Sequence, residues 1–354
     1  MDKSLSEKIK IVSFFSILLV ILLHSFNLDS GPIPDSILFN KSSVWFIEDL
    51  ISFGFTRIAV PLFFILSGFL FFYNHNAGDS LFNKIKKRFR TLLIPFLFWS
   101  LFGIAFYFVL QSIPQTAVFF TKERVVDFSF QKWLVKIFVN PIPYQLWFIR
   151  DLMLIVLISP LLQFCLQRFW TLTLSFAFIL WFTVCGGFHN SSEALLFFLT
   201  GSALSIYNPK ALEKNYENKA LYIFCLWVIL VLLKTTLLYF DIEPVIVKSI
   251  LKISILTGVI AFWGVYDSLF KNALNAKNIL LQMAGFTFFI YAAHEPMLTV
   301  FKKILFVVLG KDHVNAYFIV YLAAPILTFI CCLTTAVVLK KYFKSFYEII
   351  TGGR

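Results

Sequence analysis

From residue 11 to residue 339 the chain is a succession of apolar runs, most of them close to twenty residues long. A hydrocarbon core about 30 Å thick is crossed by roughly twenty apolar residues in a helix, each rising about 1.5 Å. Lipid offers no hydrogen bonds to the backbone, so such runs fold as α-helices. Ten spans are expected, at approximately 11–28, 52–73, 91–111, 145–164, 170–188, 192–207, 220–240, 246–267, 279–299 and 314–339. The expected fold class is all-α, a polytopic transmembrane helical bundle of about ten spans forming a single domain over residues 1–354. No internal repeat stands out, and no stretch leaves room for a soluble domain.

Composition agrees: 59% of residues are hydrophobic and 14% charged, whereas a soluble domain of this size needs far more polar surface. A net charge of +12 suggests nucleic acid only until the charges are placed. They fall beside the spans, where lysine and arginine set orientation and meet anionic lipid. No nucleic-acid partner is expected; membrane lipid is. With a cytoplasmic N-terminus, that side holds Lys3, Lys8, Lys10, the basic run 84–90, Arg168, Lys210, Lys214, Lys219, Lys271, Lys277, Lys340, Lys341, Lys344 and Arg354. The opposite side holds the smaller set Lys41, Lys122, Arg124, Lys132, Lys136, Lys302, Lys303 and Lys311. Both termini are therefore expected in the cytoplasm. The first run has a basic flank like a signal peptide, but Leu23-His24-Ser25-Phe26-Asn27 offers no cleavage site, so it reads as a retained helix. Residues 112–143 form the longest outer loop, and Phe128 to Phe138 reads as an interfacial helix. Cys165, Cys185, Cys225, Cys331 and Cys332 lie in apolar runs and read as small buried hydrophobes.

Against this apolar background a few polar residues stand out. Arg57 heads the run that continues to Leu70, and His24 lies near the end of the preceding span. The expected topology brings them to one level with Arg150 and Asp151 at the outer start of span four. His294 and Glu295, toward the outer end of span nine, join them. Intramembrane charges usually face the bundle interior or a water-filled cavity, so a polar cavity opening outward is expected. Simpler readings stand beside this one. Arg57 can snorkel to headgroups, Arg150 and Asp151 can pair elsewhere, His294 can be a packing histidine, and Glu295 can serve a kink at Pro296. His189 and His313 read as solvated loop residues.

Such a cavity suits transfer of an acyl group to a hydroxyl. A sugar hydroxyl needs a positioned base, for which histidine has a suitable intrinsic pKa, and the tetrahedral intermediate carries an oxyanion that arginine can stabilise. His24 and Arg57 fit those roles, with Asp151 or Glu295 orienting either one. On the other side, Lys84-Ile85-Lys86-Lys87-Arg88-Phe89-Arg90 reads either as topology or as a holder of acyl-CoA phosphates. There is no Gly-rich phosphate loop, and no ligand spacing that would call for a metal.

Five ordered segments carry a family resemblance: Val20-Ile21-Leu22-Leu23-His24; Arg57 through Phe72; Lys87 through Pro95; Gln145-Leu146-Trp147-Phe148-Ile149 before Ser159-Pro160-Leu161; and Phe286 through His294. In these the chain resembles the acyltransferase-3 family of integral membrane acyltransferases, and most of all its bacterial branch related to enterobacterial-common-antigen O-acetyltransferase. The resemblance implies an acyl-CoA donor, usually acetyl-CoA, on the cytoplasmic side of a bacterial inner membrane, and a glycan acceptor at or beyond it. It implies that His24 is the catalytic base, and Arg57, Arg90 and His294 match further motif positions; Arg88 and Arg90 of the basic run are expected to hold the donor phosphates. Ser67 (in a Ser67-Gly68-Phe69 turn), Trp147, Arg150, Asp151, His294 and Glu295 are the substrate-binding candidates. One departure is plain: where the family carries an arginine eleven positions before the histidine, this chain has Ser13, and Lys10 replaces that charge only in part. A polysaccharide or lipid-glycan exporter is the alternative, since transporters also place ionisable residues mid-bundle.

Overall fold

A computed structural model describes residues 1–28, 42–73, 81–118, 120, 123–184, 189–270 and 274–353. Lys41, Lys122, Cys185, Lys271 and Arg354 lie outside the described residues. Among those described there is no strand, and the chain is an all-α polytopic bundle.

The central helix is α1, Lys3–Ser25, which packs against six other helices. Ile11, Phe14, Ile17 and Ile21, spaced three to four residues apart, are at most 2% exposed and form the stripe that a helix buries against its neighbours. The second span starts earlier than the apolar run suggests. Helix α2, Ser43–Ser52, leads through a 3-10 turn, Phe55–Ile58, into α3, Ala59–Phe72. Helix α4 is Leu81–Ser112. The outer loop contains a short helix α5, Phe130–Leu134, continued by a π-helical turn Val135–Val139. Its Phe130, Leu134, Val135 and Phe138 are exposed, in keeping with an interfacial segment.

Spans four and five differ most from their expected bounds. Helix α6 has only eleven residues, Trp147–Leu157. Ser159-Pro160 then opens α7, Ser159–Thr183, which bends at Phe169, where φ is −140° and ψ 45°. Proline at the first helical turn is tolerated because its missing N–H has no intrahelical partner there. Tyr207 Oη, at the end of α8 (His189–Tyr207), donates to Leu166 O at 2.7 Å and ties the bend to that helix. Helices α9, Glu217–Tyr239, and α10, Pro244–Phe270, form a long antiparallel pair. The expected span nine is two helices, α11 (Leu274–Ala284) and α12 (Thr287–Leu309). Then come α13, Val314–Tyr342, and the amphipathic α14, Lys344–Thr351. Trp99 Nε1 holds α14 by donating to Ile350 O at 3.0 Å.

By length and composition alone, seven stretches among the described residues are apolar enough to cross a membrane, and the expected spans four, six and nine are shorter or less apolar. Helix α6 is too short, α8 opens on polar residues through Glu193, and α12 carries Glu295, Lys302 and Lys303.

Three local expectations change as well. Ser67-Gly68-Phe69 is not a turn but lies within α3. A Cβ on Gly68 would collide with the Phe198 carbonyl, and one on Gly201 with the Ile65 carbonyl. The two glycines let α3 and α8 approach backbone to backbone, as small residues do between membrane helices. Of the described cysteines only Cys332 is buried, while Cys225 is exposed. Lys8, read as a loop cation, is 5% exposed and pairs with Asp267 at 2.6 Å.

Candidate active site

The site forms where α1 ends against the kink of α12. Pro296 has no N–H to give the Ala292 carbonyl four residues earlier, and Glu295 leaves helical geometry at φ −103°, ψ 129°. Gln145, in the 3-10 turn Tyr144–Leu146, takes up that vacancy. Its Nε2 donates to Ala292 O at 3.1 Å and to Glu295 O at 3.2 Å. Tyr291 Oη donates in return to Gln145 O at 2.7 Å. This exchange fixes the kink and places His294 and Glu295 in the interior of α12.

His24 and His294 face each other there, with ring centroids 5.6 Å apart and planes 14° from parallel. The Tyr144 ring meets His24 edge-on at 4.8 Å and 87°. His294 Nδ1 lies 2.7 Å from Tyr291 O. A carbonyl only accepts, so Nδ1 carries a proton, and in the neutral ring Nε2 is the acceptor. His294 is fully buried, and its Nε2 has no hydrogen-bond partner among the described residues. His24 is half-buried. Glu295 accepts from Tyr144 Oη at 3.3 Å and from Thr299 Oγ1 at 2.8 Å.

Arg57 sits in the 3-10 turn before α3, close enough for its charge to act on His24. Its Nη2 is 3.8 Å from Glu193 Oε2, which also accepts from Trp181 Nε1 at 3.3 Å. Arg57 Nε is buried without a hydrogen-bond partner among the described residues. Arg150 and Asp151 close on each other instead, at 2.7 Å. Arg150 Nη1 also donates to Val139 O at 2.5 Å, and Asp151 accepts from Ser191 Oγ at 2.9 Å. They clamp α6 to the interfacial segment and to α8. Trp147 packs half-buried against Phe64, with ring centroids 6.3 Å apart.

Between the N-terminal part of α1 and the C-terminal part of α13 lies a cavity of about 530 Å³. Lys10 and Ser13 of α1, Arg88 of α4 and Lys340 of α13 line it, together with Ser67, Phe148 and Tyr291. Arg90 is exposed and is not among its lining residues. Phe148 and Tyr291 stand 5.8 Å apart, and Tyr291 is 6.4 Å from His294 by ring centroids. The cavity therefore ends one helical turn from the histidine pair. Its cations come from three helices distant in sequence, so Lys340 is visible from sequence only as a topology charge. Glu193, Tyr144 and Lys302 were missed too. Glu193 carried a signal, as a charge beside an apolar run, whereas an outer-loop tyrosine and a lysine placed like a topology charge carried none.

A family profile described as "Acyltransferase domain" matches residues 8–338. Among curated proteins, the chain is 24% identical over 365 residues to "Succinoglycan biosynthesis protein ExoH" of Rhizobium meliloti (strain 1021). That match covers 100% of this chain and 94% of the relative. No solved structure matches. With a family match over almost its whole length, on a bundle of apolar helices, the chain is a multi-pass membrane acyltransferase and belongs to the acyltransferase-3 family.

Proposed function

We propose that this protein is a membrane O-acyltransferase, specifically an O-acetyltransferase, that moves an acyl group from acyl-CoA to a hydroxyl of a cell-surface polysaccharide or lipid-linked glycan. The observation that carries the reading is the stacked pair His24–His294, one helical turn beyond a cavity lined by Lys10, Arg88 and Lys340. The membrane is a bacterial inner membrane and the cavity faces the cytoplasm with both termini. Several cations around one opening suit a polyanion, and acetyl-CoA presents its phosphates at one end and its thioester at the other. The name of the Rhizobium relative points the acceptor toward a polysaccharide.

In this reading His24 takes the proton of the acceptor hydroxyl as its oxygen attacks the thioester carbonyl. The C–O bond forms, the C–S bond breaks, and the coenzyme A thiolate leaves and is protonated. Arg57, fixed by Glu193, stabilises the charge that develops on the carbonyl oxygen. Ser67 lines the donor cavity, while His294 and Glu295 hold the acceptor side. Arg150, Asp151 and Trp147 shape the wall behind them. Arg90 contributes to donor capture only as a peripheral charge at the mouth.

Arg88→Ala tests the donor arm. Loss of one charge-assisted phosphate contact, about 1.5–3 kcal/mol, is expected to raise the donor KM at least about tenfold. Steady-state transfer in proteoliposomes measures it, with kcat near wild type. An unchanged KM places the donor elsewhere.

A further inference from the structure

The end of a helix leaves its last carbonyls without intrahelical partners, and α1 ends inside the bundle at Ser25. Leu22 O accepts from Ser25 Oγ at 2.7 Å and from Ser52 Oγ at 2.9 Å. The carbonyls of His24 and Phe26 are both taken by one group, Lys302 Nζ, at 2.6 and 2.8 Å. A cation suits that place twice over, as a donor to orphan carbonyls and as a charge at the negative end of the helix dipole. The carboxylates of Glu48 and Glu295 lie near enough to act on Lys302, so the ammonium has anionic company in the bundle. Lys302, expected among the outer loop charges, reaches inward from α12 and is half-buried.

Helix α12 also carries His294, whose ring lies against that of His24. Two contacts therefore join α1 and α12 at one residue, ring on ring and ammonium on the backbone carbonyl. We propose that Lys302 is the positioning residue of this site: by gripping the carbonyls of His24 and Phe26 it fixes the end of α1 and lays the His24 imidazole against His294. Lys302 acts through His24, because the contacts it makes are with backbone. The consequence for catalysis rests on the acyl-transfer reading above, whereas the anchoring is measurable without it.

The test compares wild type, Lys302→Met and Lys302→Arg in lipid nanodiscs by hydrogen exchange, with acyl transfer measured on the same preparations. Lys302→Met removes the donor and keeps the bulk, and is expected to speed exchange in residues 22–28 by about tenfold, as local opening does. The rest of the bundle keeps its wild-type exchange. Lys302→Arg still donates to both carbonyls and is expected to restore slow exchange. Where wild type transfers acyl groups, kcat of Lys302→Met falls about 10²-fold, the effect of a misplacement of about 1 Å, with donor KM unchanged. Unchanged exchange at 22–28 overturns the proposal whatever the activity. So does a rise spread over all helices, which makes Lys302 a general structural residue. Local loosening in a protein whose wild type transfers nothing upholds the anchoring and overturns the acyl-transfer reading instead.

Discussion

His24→Ala is expected to lower acyl transfer by about 10²- to 10⁴-fold, the range that loss of a positioned general base produces. The chemistry gives histidine this weight because an acceptor hydroxyl is a poor nucleophile until a base takes its proton. The geometry gives it to His24, which is half-buried while its stacked partner His294 is sealed from solvent. The His24 side chain does not hold the fold together: α1 is anchored near it by backbone carbonyls, through Ser52 and Lys302. The variant should therefore insert and unfold like wild type while losing kcat, measured with saturating donor in proteoliposomes. Retention of more than about a tenth of wild-type kcat would move the base to another group.

The second large effect is on stability. Asp49 of α2 and Lys234 of α9 form a pair at 2.6 Å, each 3% exposed, and Thr235 Oγ1 donates to the same carboxylate at 2.9 Å. Removing one partner of a buried pair leaves an uncompensated charge and costs about 3–5 kcal/mol, whereas replacing both with apolar residues is often neutral. Lys234→Met alone is thus expected to be strongly destabilised, and Lys234→Met with Asp49→Leu to recover most of the loss. Thermal or denaturant unfolding in lipid nanodiscs measures both. The effect reaches the site, because the next residue back, Glu48, accepts from the Asn27 backbone N–H at 3.2 Å. Helix α2 also leads directly into the turn that carries Arg57. A cost below about 1 kcal/mol for the single variant would mean that the pair is solvated.

Much of the fold was legible because lipid leaves the backbone one economical solution for an apolar run of twenty residues. What periodicity could not show was where such a run is broken from within. Phe169 bends α7 without any residue type that announces it, and Gly285-Phe286 divides the expected ninth span in two. The Ser67-Gly68-Phe69 segment was expected to be a turn from its place in the family motif, but it lies within α3. Its glycine serves instead a close crossing with α8, a partner no local pattern names.

The site divides in the same way. His24, His294 and Glu295 were visible as polar residues in apolar surroundings, and the fold brings them together. Arg150 and Asp151 were visible on the same ground, yet they satisfy each other and two loop-side partners. Lys302 was hidden by its position, since a lysine near the end of an apolar run is ordinarily a topology charge. Only the backbone of α1 reveals what it holds. Ser13 and Lys10 were singled out by a departure from the family pattern. Both line one cavity with Lys340, a cation from the other end of the chain.

Acyl transfer to a surface glycan is tested by mass spectrometry of surface glycans from cells lacking this protein, with and without the wild-type chain restored. An acyl increment of acetyl mass is expected on a glycan hydroxyl only where the wild-type chain is present. Unmodified glycan that reaches the surface only with the protein would contradict it in favour of export, and identical acylation in both strains would contradict it outright.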